Sequence, residues 1–162
     1  MTRPPARHRG FTFIEMAITA AIVALLATLV MPMAELAVKH DRERELVLAL
    51  REIRSALDAY KRAVDEGRVA GEPDKSGYPP TLDILAAGVS DEKSPDHNGK
   101  IYFLRRIPRD PMCRDAGKSN EETWGKRSYE SPPDAPEEGD DVYDVYSLSP
   151  DSGINGIPYK DW

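Results

Sequence analysis

The sequence predicts an α+β fold in which a long N-terminal helix, first transmembrane and then amphipathic, packs on a small C-terminal domain with a short antiparallel sheet. Three observations carry this. An apolar run fills residues 11–34, an apolar stripe at helical spacing follows it to residue 64, and after Gly67 the composition turns abruptly to proline, glycine and short β-prone segments. The 162 residues leave room for one modest globular domain.

The apolar run reads FTFIEMAITAAIVALLATLVMPMA, and Glu15 is its one ionisable side chain. As a helix it would extend roughly 36 Å, enough to cross a hydrocarbon core of about 30 Å. A cleaved secretory signal has an apolar core of about 7 to 15 residues and a small-x-small cleavage site. This run is too long for that, carries a carboxylate near its start and ends without such a site. Arg3, Arg7 and Arg9 precede it with no acid among residues 1–10, which places the N-terminus on the cytoplasmic side and exports everything after residue 34. A carboxylate in a span costs on the order of 2.5 to 3.5 kcal/mol at the membrane centre and less near the boundary. Glu15 therefore either reaches the headgroups or finds a partner. Pro32 lacks a backbone N–H and crowds the Thr28 carbonyl, so the helix should kink or loosen there.

Residues 35–66 contain no helix breaker. Leu46, Leu50, Ile53, Leu57, Tyr60 and Val64 recur at steps of four and three, the signature of an amphipathic helix. Asp41, Arg42, Glu43, Arg44, Arg51, Glu52, Arg54, Lys61 and Arg62 are read as its charged opposite face, solvated or facing another subunit, with no chemistry assigned. The stripe is too short for a convincing coiled coil and more simply packs on the domain that follows. A helix over 11–66 would be about 84 Å long.

Residues 67–162 form the globular part. Thr81 is a plausible N-cap for a short helix with Leu82 and Leu85 facing inward and Gly88 as its stop. KIYFLRRIP from Lys100 reads as a strand or extended packing segment closed by Pro108 and Pro111. Residues 125–130 and 142–148 are the better strands, joined by the turn-rich SPPDAPEEGDD. So small a domain buries little on its own, and packing against the 46–64 stripe is physically expected.

Composition excludes other classes. With 22 basic against 28 acidic residues the net charge is −6, and residues 128–162 carry nine acids against Lys160, so no basic footprint for nucleic acid exists. The single cysteine, Cys113, forms no intrachain disulfide. Neither it nor His8, His40 or His97 lies in a nucleophile motif, and there is no zinc spacing or phosphate loop.

Arg9-Gly10-Phe11-Thr12-Phe13-Ile14-Glu15, with a basic leader before it and an apolar run behind, resembles the class III signal of type IV pilins and of the pseudopilins of type II secretion. The resemblance implies that prepilin peptidase removes residues 1–10 by cutting between Gly10 and Phe11, and that the new amine of Phe11 is methylated. It also implies that Phe11, Glu15 and Pro32 serve assembly. The chemistry agrees: cleavage makes a cation at Phe11 that the Glu15 carboxylate of a neighbouring subunit can pair with, offsetting two desolvation costs and fixing register. Further along, Gly77-Tyr78-Pro79, Ile107-Pro108-Arg109-Asp110-Pro111, Trp124-Gly125, Ser147-Leu148 with Asp151, and Trp162 are similar in order to the major pseudopilins. Residues 112–123 depart from that pattern as an inserted surface loop.

Major pseudopilins hold calcium in the loop matching 148–162, which implies Leu148 through its carbonyl, Asp151, Asn155 and, less securely, Asp161 as ligands. Calcium takes about six to eight oxygens, and no EF-hand spacing is present. From composition alone the segment reads equally as an Asp/Asn/Gly turn region capped by Trp162.

The function these expectations describe is a structural, non-enzymatic subunit of the type II secretion pseudopilus. It would be a homopolymer working with other pseudopilins, prepilin peptidase, an inner-membrane assembly platform and, before assembly, membrane lipid. Residues 1–10 would be the cytoplasmic leader, 11–34 the transmembrane and assembly helix, 35–66 the stalk and 67–162 a periplasmic domain. A type IV pilin, a competence or minor pseudopilin, and a membrane-anchored periplasmic calcium-binding module are the alternatives.

Overall fold

The structure, a computed structural model, describes residues 10–72, 75–95 and 99–162. The leader arginines Arg3, Arg7 and Arg9, and His8 and His97, lie outside the described residues. The chain divides into two units, the first ending at Lys39 and the second spanning His40–Trp162.

Helix α1 runs Phe13–Asp65 and passes through Pro32 without interruption. No side chain described in its apolar 13–38 stretch is buried, and Phe13, Val23, Leu25 and Val30 are all more than half exposed. The helix stops at Gly67, whose φ is +66°. Gly67 N donates to Val64 O at 2.8 Å and Arg68 N to Ala63 O at 2.8 Å, a Schellman closure that uses the glycine's access to positive φ.

In the second unit the expected stripe is the core. Leu46, Leu50, Ile53, Leu57 and Tyr60 are buried and Val64 packs beside them. They meet Val69, Leu82, Leu85, Leu104, Ile107, Trp124, Val142, Val145 and Tyr159. Helix α2, Asp83–Ala87, is fixed by the complete burial of Leu82 and Leu85 on this core. Leu82 rather than Thr81 stands at its N-cap and no side chain caps it, because apolar packing sets so short a turn. Gly88, at φ +80°, ends it as anticipated; a Cβ there would lie 2.6 Å from the Tyr102 ring.

The strands form two antiparallel pairs. β1, Val89–Ser90, pairs with β2, Lys100–Ile101. Only these first two residues of KIYFLRRIP are strand, since Phe103 N and Leu104 N both donate to the one carbonyl of Leu85, at 3.0 and 2.9 Å. β3, Trp124–Arg127, pairs with β4, Asp144–Ser147, in the register Trp124↔Ser147 to Arg127↔Asp144. Both are shorter than the sequence suggests. Gly125 is required here, because a Cβ would come within 2.4 Å of the Tyr146 ring across the ladder.

Residues 112–123, the segment expected as an inserted surface loop, end in a 3₁₀ turn over Glu121–Thr123. Its base is a buried carboxylate: Asp110 accepts from Met112 N at 2.7 Å and from Ser147 Oγ at 2.6 Å, while Asp110 N donates to Thr123 Oγ1 at 3.2 Å. The Arg109 guanidinium holds the loop from inside, donating to the carbonyls of Lys118, at 2.7 Å, and Asp115.

Candidate functional site

The start of α1 has a defined local chemistry. Thr12 and Glu15 form a reciprocal capping box: Glu15 N donates to Thr12 Oγ1 at 3.3 Å, and Thr12 N donates to Glu15 Oε2 at 3.4 Å. The carboxylate thus satisfies an orphan N–H of the first turn and sits at the positive end of the helix dipole. Thr12 was not among the residues expected to matter. The pattern Thr12-x-x-Glu15 ahead of an apolar run was its signal.

Phe11 is 77% exposed. A Cβ built on Gly10 meets nothing within 4 Å, so the fold itself makes no demand for glycine at that position. Behind this turn the helix presents apolar side chains on every side. A helix apolar all round belongs in lipid or among other helices. Pro32 lies toward the C-terminal end of this surface, with Thr28 Oγ1 donating to Leu25 O at 2.7 Å one turn before it.

The tail loop, 148–162, is held differently from the expected calcium site. The Asp151 carboxylate faces the Arg114 guanidinium of the inserted loop at 3.4 Å, and Asn155 Oδ1 accepts from Ile157 N at 3.0 Å. Asp161 lies in a 3₁₀ turn over Tyr159–Asp161, and Leu148 directly follows β4. Among the described residues no three His, Cys, Asp or Glu side chains converge on a common point. The Asp151–Arg114 contact is an exposed surface pair, both side chains lying largely in solvent. Leu148, Asp151, Asn155 and Asp161 thus offer two carboxylates, one amide oxygen and one backbone carbonyl within the tail.

Two charged residues of α1 bind the loop instead. Glu43, 7% exposed, accepts through Oε1 from Ile154 N at 2.8 Å and from the Tyr159 hydroxyl at 2.9 Å. Arg54 donates through Nη2 to the carbonyls of Trp162, at 2.8 Å, and Val145, at 3.2 Å, and through Nε to Asp144 Oδ1 at 2.7 Å. This corrects the reading of both as part of a solvated face. Glu43 lies three residues before Leu46, in phase with the buried stripe, and that phase was the legible signal.

Burial, with help from the hydrogen bond to Glu43, pushes the Tyr159 phenol up to about 12 from an ordinary 10.0. The neutral form is the one the fold favours, so this contribution to stability is complete below pH 10 and is lost as the pH climbs through 12. Tyr60 and Tyr78 shift in the same direction through burial. The melting temperature should hold steady from neutrality to about pH 10. It should then fall as about 2 to 3 kcal/mol is lost, a fall that Tyr159→Phe blunts.

Residues 5–31 match the family described as the prokaryotic N-terminal methylation motif. The chain is 32% identical over 143 residues to the type II secretion system core protein G of Klebsiella pneumoniae, an alignment covering 84% of this chain and 93% of that protein. It is 31% identical over 149 residues to the protein of the same name from Pectobacterium carotovorum subsp. carotovorum, covering 90% and 78%. No solved structure matches it.

Proposed function

The chain belongs to the type II secretion system core protein G family, the major pseudopilins, and from that premise we propose that it polymerises through α1 into a filament that drives protein export across the outer membrane. The observation that carries this is the first turn of α1: a carboxylate fixed by a capping box at the head of an apolar helix none of whose described side chains is buried, inside a methylation motif. Before assembly that surface requires lipid, and residues 11–34 cross the inner membrane once with the N-terminus cytoplasmic. The domain beyond is periplasmic.

Prepilin peptidase cuts after Gly10 and the Phe11 amine is methylated. The Glu15 carboxylate then exchanges the backbone N–H of its own chain for the amine of a neighbouring subunit, in a helix-packed interior where an unmatched charge is costly. Assembly thus waits on processing, because the uncut chain has no cation at Phe11. Other pseudopilins and an inner-membrane assembly platform are the remaining partners. The chain itself catalyses nothing and serves as a structural element of the piston.

Intact-mass measurement on protein from membranes tests the processing step. The expected species lacks residues 1–10 and carries one added methyl group. A species retaining the leader, or one shortened further along the apolar run, would overturn it.

A further inference from the structure

The polarity of the tail's anchor is opposite to that of a cation site. A loop that wraps a metal turns oxygen acceptors inward. Here the inward groups at the Glu43 carboxylate are donors, the Ile154 N–H and the Tyr159 O–H, and the acceptor comes from α1. Glu43 and Arg54 lie about three helical turns apart on nearly one face of α1, so one takes hold of the loop at 154–159 and the other at Trp162. Between them the loop closes on itself: Gly153 N donates to Ile157 O at 2.8 Å, Gly156 takes φ +79° in the turn, and the Tyr159 and Trp162 rings meet edge-on at 5.2 Å. Gly153 packs so closely under the Trp162 ring that a Cβ would approach it to 2.4 Å.

We infer that this chain closes its tail without a metal ion, the Glu43 carboxylate and the Arg54 guanidinium of α1 doing for residues 148–162 what calcium does for the loop it matches in the family. The 112–123 loop adds a positive charge nearby, the exposed Arg114 guanidinium lying 3.4 Å from the Asp151 carboxylate.

The test compares the full chain in detergent with chelator and with about 5 mM calcium, above the roughly 0.1 to 1 mM range of weak extracellular calcium modules. Melting temperature and residue-resolved amide exchange over 148–162 are read in each. The wild-type protein should melt within about 1 °C in the two conditions and keep the same tail protection, as a closure with no metal linkage requires. Glu43→Ala leaves two buried donors unpaired and should lower the melting temperature by about 5 to 10 °C, with at least tenfold faster exchange at Ile154. Glu43→Gln keeps an oxygen acceptor and should recover most of that protection; if the alanine variant does not fold, the wild-type comparison with and without calcium decides the matter. A calcium-dependent rise of several degrees localised to the tail, or unchanged tail protection in both Glu43 variants, would overturn the inference. Neither readout involves filaments, so either outcome leaves the assembly reading standing on its own test.

Discussion

Glu15→Ala should insert into the membrane and lose its leader normally, yet form no filaments. The substitution removes one capping interaction, worth about 0.5 to 2 kcal/mol at a helix start, which frays a turn without threatening a helix held by lipid. In the polymer the loss is larger. Close charge pairs across interfaces couple by about 1.5 to 7 kcal/mol, and removing one partner leaves the Phe11 amine buried and unmatched. Even the lower figure is more than tenfold per contact. A filament repeats it at each subunit, so assembly should drop below detection. Glu15→Gln separates the two roles, because glutamine also completes a capping box with Thr12 but carries no charge. Filaments from Glu15→Gln but not Glu15→Ala would mean that helix capping, not the ion pair, is what assembly needs. Filament yield by electron microscopy or shearing, beside the ratio of processed to unprocessed protein, checks both.

Gly10→Val should be nearly silent in the fold and severe in function. A Cβ at residue 10 meets nothing, so the variant domain should melt like the wild type. If the peptidase requires close approach of the backbone at the residue before the cut, as glycine permits, the variant accumulates as a membrane-bound chain with its leader attached. Without cleavage no amine exists at Phe11, Glu15 keeps its own Thr12 N–H as partner, and filaments are lost as completely as in Glu15→Ala. A processed product from Gly10→Val would remove the peptidase from the account, and filaments built from uncut subunits would remove the amine.

The parts of the fold that repeat were the parts legible in the sequence. Steps of three and four from Leu46 to Tyr60 marked the buried face of α1 residue by residue, since each member is apolar and burial follows the helical period. The same period runs back to Glu43, but a charged residue in phase with a core stripe is usually solvated, and its burial depends on donors over a hundred residues away in sequence, at Ile154 and Tyr159. No local pattern carries that. Three of the four strands lie where β-prone composition points but are shorter, because composition does not say where a ladder ends; after Ile101 the N–H groups turn to Leu85 O, and Val89–Ser90, the two residues after Gly88, had no such signal. At the candidate site, Gly10, Phe11 and Glu15 could be read directly, since a processing motif is a linear signal. The surroundings of the tail could not be read so, since Asp151 meets Arg114 across 37 residues of sequence.

A high-resolution map of the native filament would show what the Glu15 carboxylate meets. The Glu15 side chain of one subunit should lie within hydrogen-bonding distance of the methylated Phe11 amine of the next, in a dry helical core. A carboxylate still folded back on Thr12 of its own chain, with no amine beside it and solvent or lipid around it, would contradict that.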